Sequence, residues 1–279
     1  NTVTKNIANS LSDGVDITLQ SQNISGLFNW NTNFIFNYNV SKTTKYYYPE
    51  GAIYQAGFGQ TISPIKGRSL YAINSYRWGG LDPTNGNPQG YLNKQLSTEY
   101  YSIFNSMNSP DSLIYSGSAT PEFFGAIANT FKWKGINLTV NITYKLGYYF
   151  RKSALSYDQL FNYGIGNTEF AKRWQVAGDE KNTNVPSMTY PNISGRDQFY
   201  LLSTATVLKG DHVSLQFINL SYNLETKGLQ RLPFRRIQVY LNASNLGILW
   251  RANKDGIDPD YPASIYPPQT FALGLRVNF

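Results

Sequence analysis

The chain of 279 residues contains no cysteine and only one histidine. The absence of thiols excludes disulfides, thiolate zinc sites and thiol nucleophiles, and a single imidazole excludes metal sites with several histidine ligands. No apolar run approaches the roughly 18 to 20 residues that a transmembrane helix requires, and the mean hydropathy of −0.37 agrees. The composition is compatible with a β-structured membrane protein, because membrane strands are apolar on one face only.

Charge is also scarce in this chain. Asp, Glu, Lys and Arg make up 15% of the residues, against roughly 25% in soluble globular proteins. The net charge is +7, but the basic residues are scattered, and the densest group (Lys227, Arg231, Arg235 and Arg236) lies in one predicted turn. A nucleic-acid surface needs a broader basic stripe. We therefore predict no nucleic-acid partner and expect the basic residues near lipid phosphates or headgroups.

The residues able to do chemistry form no enzyme motif. His212 lies in a predicted strand and would have to carry any Ser-His-Asp arrangement alone. Asp179 and Glu180 are adjacent in a predicted loop, and adjacent residues do not define the carboxylate separation that glycoside hydrolysis requires. We predict that the protein is not an enzyme and needs no cofactor.

Large apolar side chains occupy every second position in the last ten residues, 270–279. Because side chains alternate across a strand, one face carries Phe271, Leu273, Leu275, Val277 and Phe279. This pattern is typical of the strand that closes an outer-membrane barrel, with apolar residues toward lipid and polar residues toward the lumen. We expect it to serve as the signal for the barrel-assembly machinery. The last strand of a soluble sandwich alternates as well.

The same alternation predicts nine strands along the chain. Two of them, 30–40 and 136–150, are long, whereas strands of soluble proteins are most often five or six residues. In the strand over 206–224 the apolar phase changes between Phe217 and Ile218, which predicts a β-bulge. The other predicted strands are Gly14 to Ser21, Lys66 to Gly80, Gln89 to Phe104, Pro121 to Lys134, Arg236 to Leu246 and Pro268 to Phe279.

The predicted connections alternate between short and long. The short ones are Gln22 to Gly26, Leu81 to Pro88, Gly135, and Glu225 to Arg235; the long ones are Ser41 to Ile65, Asn105 to Thr120, Arg151 to Ala205, and Gly247 to Pro267. Short periplasmic turns and long extracellular loops alternate in this way in bacterial barrels. Since single-chain bacterial barrels carry even numbers of strands, nine strands would not close alone. Either one strand is missed or the chain belongs to a larger barrel.

Two groups of loop residues are candidate binding sites. Asp255, Asp258 and Asp260 offer oxygen ligands for calcium, but their spacing does not match an EF-hand loop, and the neighbouring Gly and Pro favour an ordinary turn. Many aromatic residues lie in predicted loops, where they either form the interface girdle or contact a ligand. The candidate ligand contacts are Tyr163, Trp174, Trp250 and Tyr261.

Several blocks of the sequence, in this order, resemble the C-terminal barrel portion of SusC/RagA-type TonB-dependent outer-membrane transporters. They are Gly79-Gly80-Leu81-Asp82-Pro83 with Asn85-Gly86, Pro121-Glu122-Phe123-Phe124-Gly125, Phe131 to Leu138, Arg173-Trp174 with Gly178-Asp179-Glu180 and Val185-Pro186, Leu220 to Leu224, Val239 to Leu246, Gly256-Ile257-Asp258-Pro259 and the terminal Phe279. The resemblance covers nearly the whole chain.

This resemblance implies a fold and a function. The fold would be all-β, a transmembrane antiparallel β-barrel of about 22 strands, of which residues 1–279 supply the last nine or so. The plug, the TonB-contacting segment and the early strands would lie outside this chain. The whole protein would import oligosaccharides or peptides across the bacterial outer membrane, energised through TonB, with a SusD-like surface lipoprotein as its lid.

Three other hypotheses stay open from the sequence. A passive porin would share the strand pattern without needing a plug or a lid. A barrel that serves protein secretion is also compatible with the pattern. An exported soluble β-sandwich would use its aromatic residues as platforms for glycans. Residues upstream of Asn1 in the intact gene distinguish the importer from the porin, and solubility without detergent distinguishes the sandwich.

Overall fold

The structure, a computed structural model, describes residues 8–47, 64–106, 112–225, 236–263 and 265–278. Its strands, in chain order, are β1 (Ala8–Ile24), β2 (Phe28–Tyr46), β3 (Ala72–Ser75), β4 (Gly90–Leu92), β5 (Gln95–Ser97), β6 (Ile114–Ser118), β7 (Phe123–Trp133), β8 (Ile136–Leu146), β9 (Tyr149–Arg151), β10 (Val207–Lys209), β11 (His212–Glu225), β12 (Arg236–Arg251) and β13 (Thr270–Asn278). The α-helices are α1 (Tyr100–Asn105), α2 (Tyr157–Tyr163) and α3 (Arg196–Leu202). No helix in these ranges is long and apolar enough to cross a bilayer.

One antiparallel sheet of seven strands dominates the described residues. Its order is β1-β2-β7-β8-β11-β12-β13, so every strand pairs with its neighbour in the chain once the short elements between them are set aside. Strand β2 runs for 19 residues, about 60 Å at roughly 3.3 Å per residue. That length exceeds the roughly 30 Å hydrocarbon core of a bilayer.

Register separates the side chains of this sheet into an apolar face and a polar face. Phe131 pairs with both Trp30 and Leu138, while Leu220 pairs with both Leu138 and Leu241. Directly paired residues point to the same side of an antiparallel sheet, so these side chains share one face. The opposite face carries Asn31, Asn137, Asn141, Asn219 and Asn242 together with threonine, serine and lysine side chains.

The apolar face is uncovered along the last strand. Phe271, Leu273 and Leu275 are 65%, 77% and 64% exposed, and register places them beside Ala243, Leu241 and Val239 of β12. Val277 is on the same face and half-buried, whereas Phe279 lies outside the described residues. A soluble sandwich would pack a second layer against such a face. The two clusters of buried hydrophobic side chains among the described residues contain no residue of β12 or β13.

The predicted bulge in β11 is confirmed and is centred on Gln216. Leu215 pairs with Ile142 of β8, and the next paired residue, Phe217, faces Asn141. The extra residue returns Ile218 and Leu220 to the apolar face and leaves Phe217 on the polar one. The bulge explains why the apolar pattern of this strand changes phase.

Two of the nine predicted strands are wrong. Of Lys66 to Gly80, only β3 forms a strand, and all four of its residues are buried. Gln89 to Phe104 holds the hairpin β4–β5 and the helix α1 instead of one strand, because Asn93 and Lys94 adopt φ of 52° and 67° and reverse the chain. The connection Leu81 to Pro88 therefore lies inside one long connection from β2 to β7. When these two consecutive strands are removed from the predicted nine, the connections between the remaining strands still alternate between short and long.

The strand predicted over 136–150 ends earlier than expected, and the strand predicted over 206–224 begins later. Strand β8 stops at Leu146, where Gly147 takes φ of 78°, and the backbone N–H groups of Gly147 and Tyr148 donate to the carboxylate of Asp211. Residues 149–151 and 207–209 pair with each other as β9 and β10 instead of extending the large sheet.

The chain divides into two compact units. The sheet unit comprises Asp13–Val40, Pro121–Tyr148 and Gly210–Phe279. The loop unit comprises Asn1–Ser12, Ser41–Thr120 and Tyr149–Lys209. The loop unit contains the two clusters of buried hydrophobic side chains, one formed by Tyr76, Tyr100, Ile103, Leu113 and Phe199 and the other by Leu155, Tyr157 and Val185. The long connections thus form a packed body with its own core.

A buried arginine connects the elements of the loop unit. The guanidinium of Arg151, in β9, donates to Ser203 O at 2.6 Å and Thr206 Oγ1 at 2.7 Å. It also donates to Asn74 O at 3.1 Å and Ser75 Oγ at 2.8 Å in β3. Burial lowers the pKa of Arg151 to about 10, which still leaves the group charged at neutral pH. The planar fork satisfies several carbonyl and hydroxyl oxygens that would otherwise be buried without partners.

Two of the loop motifs are in contact. The ring of Trp174 lies against Gly86, whose φ is +69°. Ser187 N donates to Gly86 O at 3.0 Å, and buried Arg196 donates from Nε to Asn87 Oδ1 at 2.8 Å and from Nη2 to Ser187 O at 2.7 Å. The Gly-Leu-Asp-Pro turn and the segment that follows Arg173-Trp174 therefore stabilise each other.

Candidate functional site

The sheet unit contains a hollow where β11 and β12 are irregular. Two residues of β12, Asn245 and Leu246, lie opposite the single residue Gln216, because Leu215 pairs with Gly247 and Phe217 with Ser244. Asn245 has φ of 56° and Gly247 has φ of 109°. A Cβ added to Gly247 would meet nothing within 4 Å. The bulge and the glycine together leave open space over this part of the sheet.

The connection 252–269 borders this hollow and is ordered by its own polar side chains. Asn253 Nδ2 donates to Ile257 O at 2.9 Å, and Ile257 N donates back to Asn253 Oδ1 at 3.1 Å. Arg251 donates from Nη1 to Gly256 O. Asp258 Oδ1 accepts from Asp260 N at 2.9 Å, as aspartates do in Asx turns.

Asp260 anchors the connection to the sheet. Both of its carboxylate oxygens accept from Lys145 Nζ, at 2.7 and 2.8 Å, and His212 Nε2 lies 3.6 Å from Oδ2. The neighbouring imidazole of His212 and the ammonium of Lys145 lower the pKa of Asp260 to about 2, against the effect of partial burial. His212 itself is buried, with Nδ1 2.8 Å from Gly210 O.

These elements border a solvent-open cavity of about 400 Å³. Its lining comprises Ser214, Leu215, Gln216, Asn245, Gly247, Ile248, Arg251, Gly256, Asp258, Asp260, Tyr261, Tyr266, Pro267 and Gln269. Register places Ser214 beside Ile248 and His212 beside Arg251, on the polar face of the sheet. The rings of Tyr261 and Tyr266 meet at 74° with their centroids 6.3 Å apart. The cavity therefore combines an aromatic corner with several polar side chains.

Of the four aromatic residues predicted as ligand contacts, only Tyr261 lines this cavity. Trp250 pairs with Val213, so it belongs to the apolar face and is 51% exposed there. Trp174 is buried against Gly86 in the loop unit, and its Nε1 donates to Glu180 Oε2 at 3.3 Å. Tyr163 ends α2 in the loop unit and is 73% exposed. For all four residues, contact with a ligand stays a prediction.

The three aspartates of the calcium alternative are divided by the fold. Asp258 and Asp260 line the cavity, whereas Asp255 is exposed and is not among its lining residues. Across the described ranges, no three His, Asp or Glu side chains are grouped so that they could hold a metal ion. Asp260 uses its carboxylate for Lys145 and Asp258 uses an oxygen for a turn, so turn formation and loop anchoring account for both residues.

Sequence reasoning missed most of the cavity. Tyr266, Arg251, Asn245 and Gln269 were not predicted as site residues, because nothing in their spacing shows that they converge. One signal was present in the sequence, namely the phase change in β11, since a bulge often marks a place where a sheet opens or redirects its side chains.

Comparison with known proteins gives a structural match only. No family model matches the sequence, and no curated protein does either. Among solved structures, the chain is similar to the RagAB peptide transporter, with a TM-score of 0.68 and 20% identity over 99% of this chain and 30% of that chain. It shares the fold of part of that transporter.

Two further RagAB structures give the same result. The "closed-closed" state of the RagAB peptide importer matches with a TM-score of 0.65 and 20% identity, over 99% of this chain and 30% of that one. The "open-open" state matches with a TM-score of 0.65 and 20% identity, over 97% and 29%. The chain thus spans less than a third of the length of the solved chains that it matches.

Proposed function

We propose that this chain is a C-terminal part of the barrel wall of a SusC/RagA-type importer in the bacterial outer membrane. The observation that carries the proposal is the long antiparallel sheet with an uncovered apolar face and an amide-rich opposite face. Lipid would solvate the first face and a hydrated lumen the second. The match to the RagAB peptide transporter supports the same interpretation.

The sheet would be completed by strands outside the described residues. Within the described ranges, β1 and β13 each pair on one side only. An unpaired edge in hydrocarbon costs several kcal/mol for each unsatisfied backbone group, so membrane sheets close into barrels. We propose a barrel of about 22 strands that includes a plug and a TonB-contacting segment from other parts of the whole protein.

The transported substrate would be an oligosaccharide or a peptide, and the protein would bind and pass it without breaking bonds. A SusD-like surface lipoprotein would close the outer mouth, and TonB would supply energy through the plug. Outer-membrane lipid would surround the apolar face, and the barrel-assembly machinery would insert the sheet. The neighbours support the transport role because they are peptide transporters.

The test uses the full-length gene product in its native host. We expect the protein in the detergent-extracted outer membrane, and we expect uptake of labelled oligosaccharide or peptide pools to stop when TonB is deleted. Uptake that continues without TonB indicates a passive porin. If deletion of the gene stops the export of a protein and leaves nutrient uptake unchanged, the chain belongs to a secretion barrel. Recovery in the soluble fraction without detergent indicates a sandwich, and each of these results contradicts the proposal.

A further inference from the structure

We propose that the cavity bounded by Tyr261, Tyr266 and Arg251 binds an uncharged saccharide unit of the transported substrate. This inference rests on the proposed importer function, since it names the ligand class of a site on the lumen-facing side of the sheet. Four properties of the cavity carry it: charge balance, hydrogen-bonding capacity, aromatic surface and a neighbouring strand edge that is interrupted at Leu246.

With His212 counted as neutral, the lining of the cavity together with Lys145, the ion-pair partner of Asp260, carries no net charge. Arg251 contributes one positive charge and Asp258 one negative charge. Asp260 is neutralised by Lys145, whose Nζ lies within 2.8 Å of both carboxylate oxygens. A ligand with a net charge would gain no net Coulombic attraction from such a balanced set and would still lose its hydration. A neutral polar ligand avoids that cost.

The polar side chains of the cavity are held in place by bonds to the backbone. Asn245 Nδ2 donates to Pro268 O at 3.2 Å, and Gln269 Nε2 donates to Leu246 O at 3.4 Å. Each amide retains its oxygen and one hydrogen, while Asp258 offers only acceptors and Arg251 only donors. A hydroxyl both donates and accepts, so a ligand with several hydroxyl groups matches this mixture.

The tyrosine pair provides flat apolar surface beside these polar groups. Tyr261 is 36% exposed and Tyr266 is 53% exposed, and their rings form a corner with an angle of 74°. Aromatic rings bury large area at small cost in conformational entropy, and the C–H faces of a pyranose ring supply a matching flat surface. A volume of about 400 Å³ lies within the roughly 300 to 1,000 Å³ of small-molecule sites.

A peptide bound as an added strand fits the cavity poorly. Strand β12 pairs with β13 only as far as Ser244 and Thr270, so residues beyond Ser244 are the nearest strand edge. On that edge, Leu246 O already accepts from Gln269. Pro267 and Pro268 lack backbone N–H groups. Strand addition needs a run of unpaired backbone donors and acceptors, and the bond to Leu246 O interrupts such a run beside the cavity.

The test measures binding by calorimetry to the purified full-length protein in detergent. The probes are maltohexaose, cellohexaose, xylohexaose and mannohexaose, with a mixed pool of uncharged hexapeptides as the other class. We expect at least one oligosaccharide to bind. Tyr261→Ala and Tyr266→Ala should each weaken that binding at least tenfold. Tyr101→Ala, which removes a 58% exposed tyrosine of the loop unit, should leave it unchanged.

The outcomes separate this inference from the proposed function. Cavity variants that keep the wild-type melting temperature and also the wild-type saccharide affinity overturn the inference and leave the importer intact. Binding of the hexapeptide pool alone, or of no saccharide in the panel, overturns it too. TonB-independent uptake together with weakened saccharide binding in the cavity variants supports the inference and overturns the importer. If either alanine variant fails to fold, Asp258→Asn replaces it, with the same tenfold loss expected.

Discussion

Trp174 packs its indole ring against Gly86, so closely that a Cβ at residue 86 would lie 2.5 Å from two ring atoms. The contact joins two loop segments that are far apart in the sequence. Gly86 also needs its positive φ of 69°, which other residues adopt only with strain. A single methyl group at this position therefore tests whether the loop unit depends on the contact.

Gly86→Ala should destabilise the loop unit by about 2 to 4 kcal/mol, the sum of backbone strain and overpacking. Hydrogen exchange of the full-length protein measures the effect in the segments 82–88 and 172–187. Gly164→Ala is the matched control, because Gly164 has φ of 66° but open space where its Cβ would lie; it should cost about 1 to 2 kcal/mol. Equal losses for the two variants would show that the Trp174 contact contributes nothing.

The fold was predictable where hydrophobic alternation extends over many residues. Most of the strand predicted over 136–150 and the bulge near Phe217 follow directly from such runs, because a period of two fixes which face each side chain takes. Alternation over a shorter run is ambiguous. Around Ile73 it reflects a strand buried on both sides inside the loop unit, and around Tyr91 it precedes a tight turn at Asn93 and Lys94.

The candidate site was less predictable than the fold. Tyr261 was singled out as an exposed aromatic loop residue, but its partner Tyr266 reaches the cavity through a connection whose path depends on Asp260 and Lys145. These two residues are 115 positions apart in the chain. No local pattern encodes an ion pair over such a separation.

The Lys145–Asp260 pair should make the anchoring of the connection 252–269 depend on pH. The pKa of Asp260 in the folded protein is lowered to about 2 from its ordinary 3.8. A carboxylate with a depressed pKa stabilises the fold above its unfolded pKa and loses that contribution as the pH falls through its folded pKa. We therefore expect protection of residues 252–269 from proteolysis to be complete above about pH 4 and to fall toward pH 2.

Substitutions of the pair check this expectation at neutral pH. Asp260→Asn and Lys145→Met should each cost about 0.2 to 1 kcal/mol, since the side chains are 35% and 40% exposed. The double variant should lose no more than the larger single loss, because both changes remove the same interaction. Additive losses would mean that the two residues act independently.

Arg151→Lys should destabilise the loop unit by about 2 to 4 kcal/mol. Lysine has no planar fork, so several of the buried oxygens that Arg151 satisfies would lose their donor. Pulse proteolysis in urea measures the change. Arg77→Lys serves as control, because Arg77 is exposed and its guanidinium lies over the ring of Tyr91 at 5.7 Å. A similar urea midpoint for both variants would contradict the role of Arg151.

Leu275→Arg should cost about 2 to 4 kcal/mol if residue 275 lies near the bilayer midplane. Leu275 is 64% exposed on the apolar face, where a guanidinium would meet hydrocarbon. Asn278→Ser, on the opposite face of the same strand, should be tolerated. Folding into lipid vesicles, followed by denaturant titration, compares the two variants. Equal stability would reverse the assignment of faces.

Spin labelling along β13 tests most directly whether one face of the sheet meets lipid and the other meets water. The chain has no cysteine, so single cysteines introduced at 271, 272, 273, 275 and 276 can each carry a nitroxide in the full-length protein reconstituted in bilayers. Gly274 is left unchanged, because a Cβ there would overlap with the ring of Tyr240. We predict that collisions with oxygen dominate at 271, 273 and 275, and that collisions with a water-soluble nickel chelate dominate at 272 and 276. Uniform accessibility to the chelate at all five positions would contradict the account.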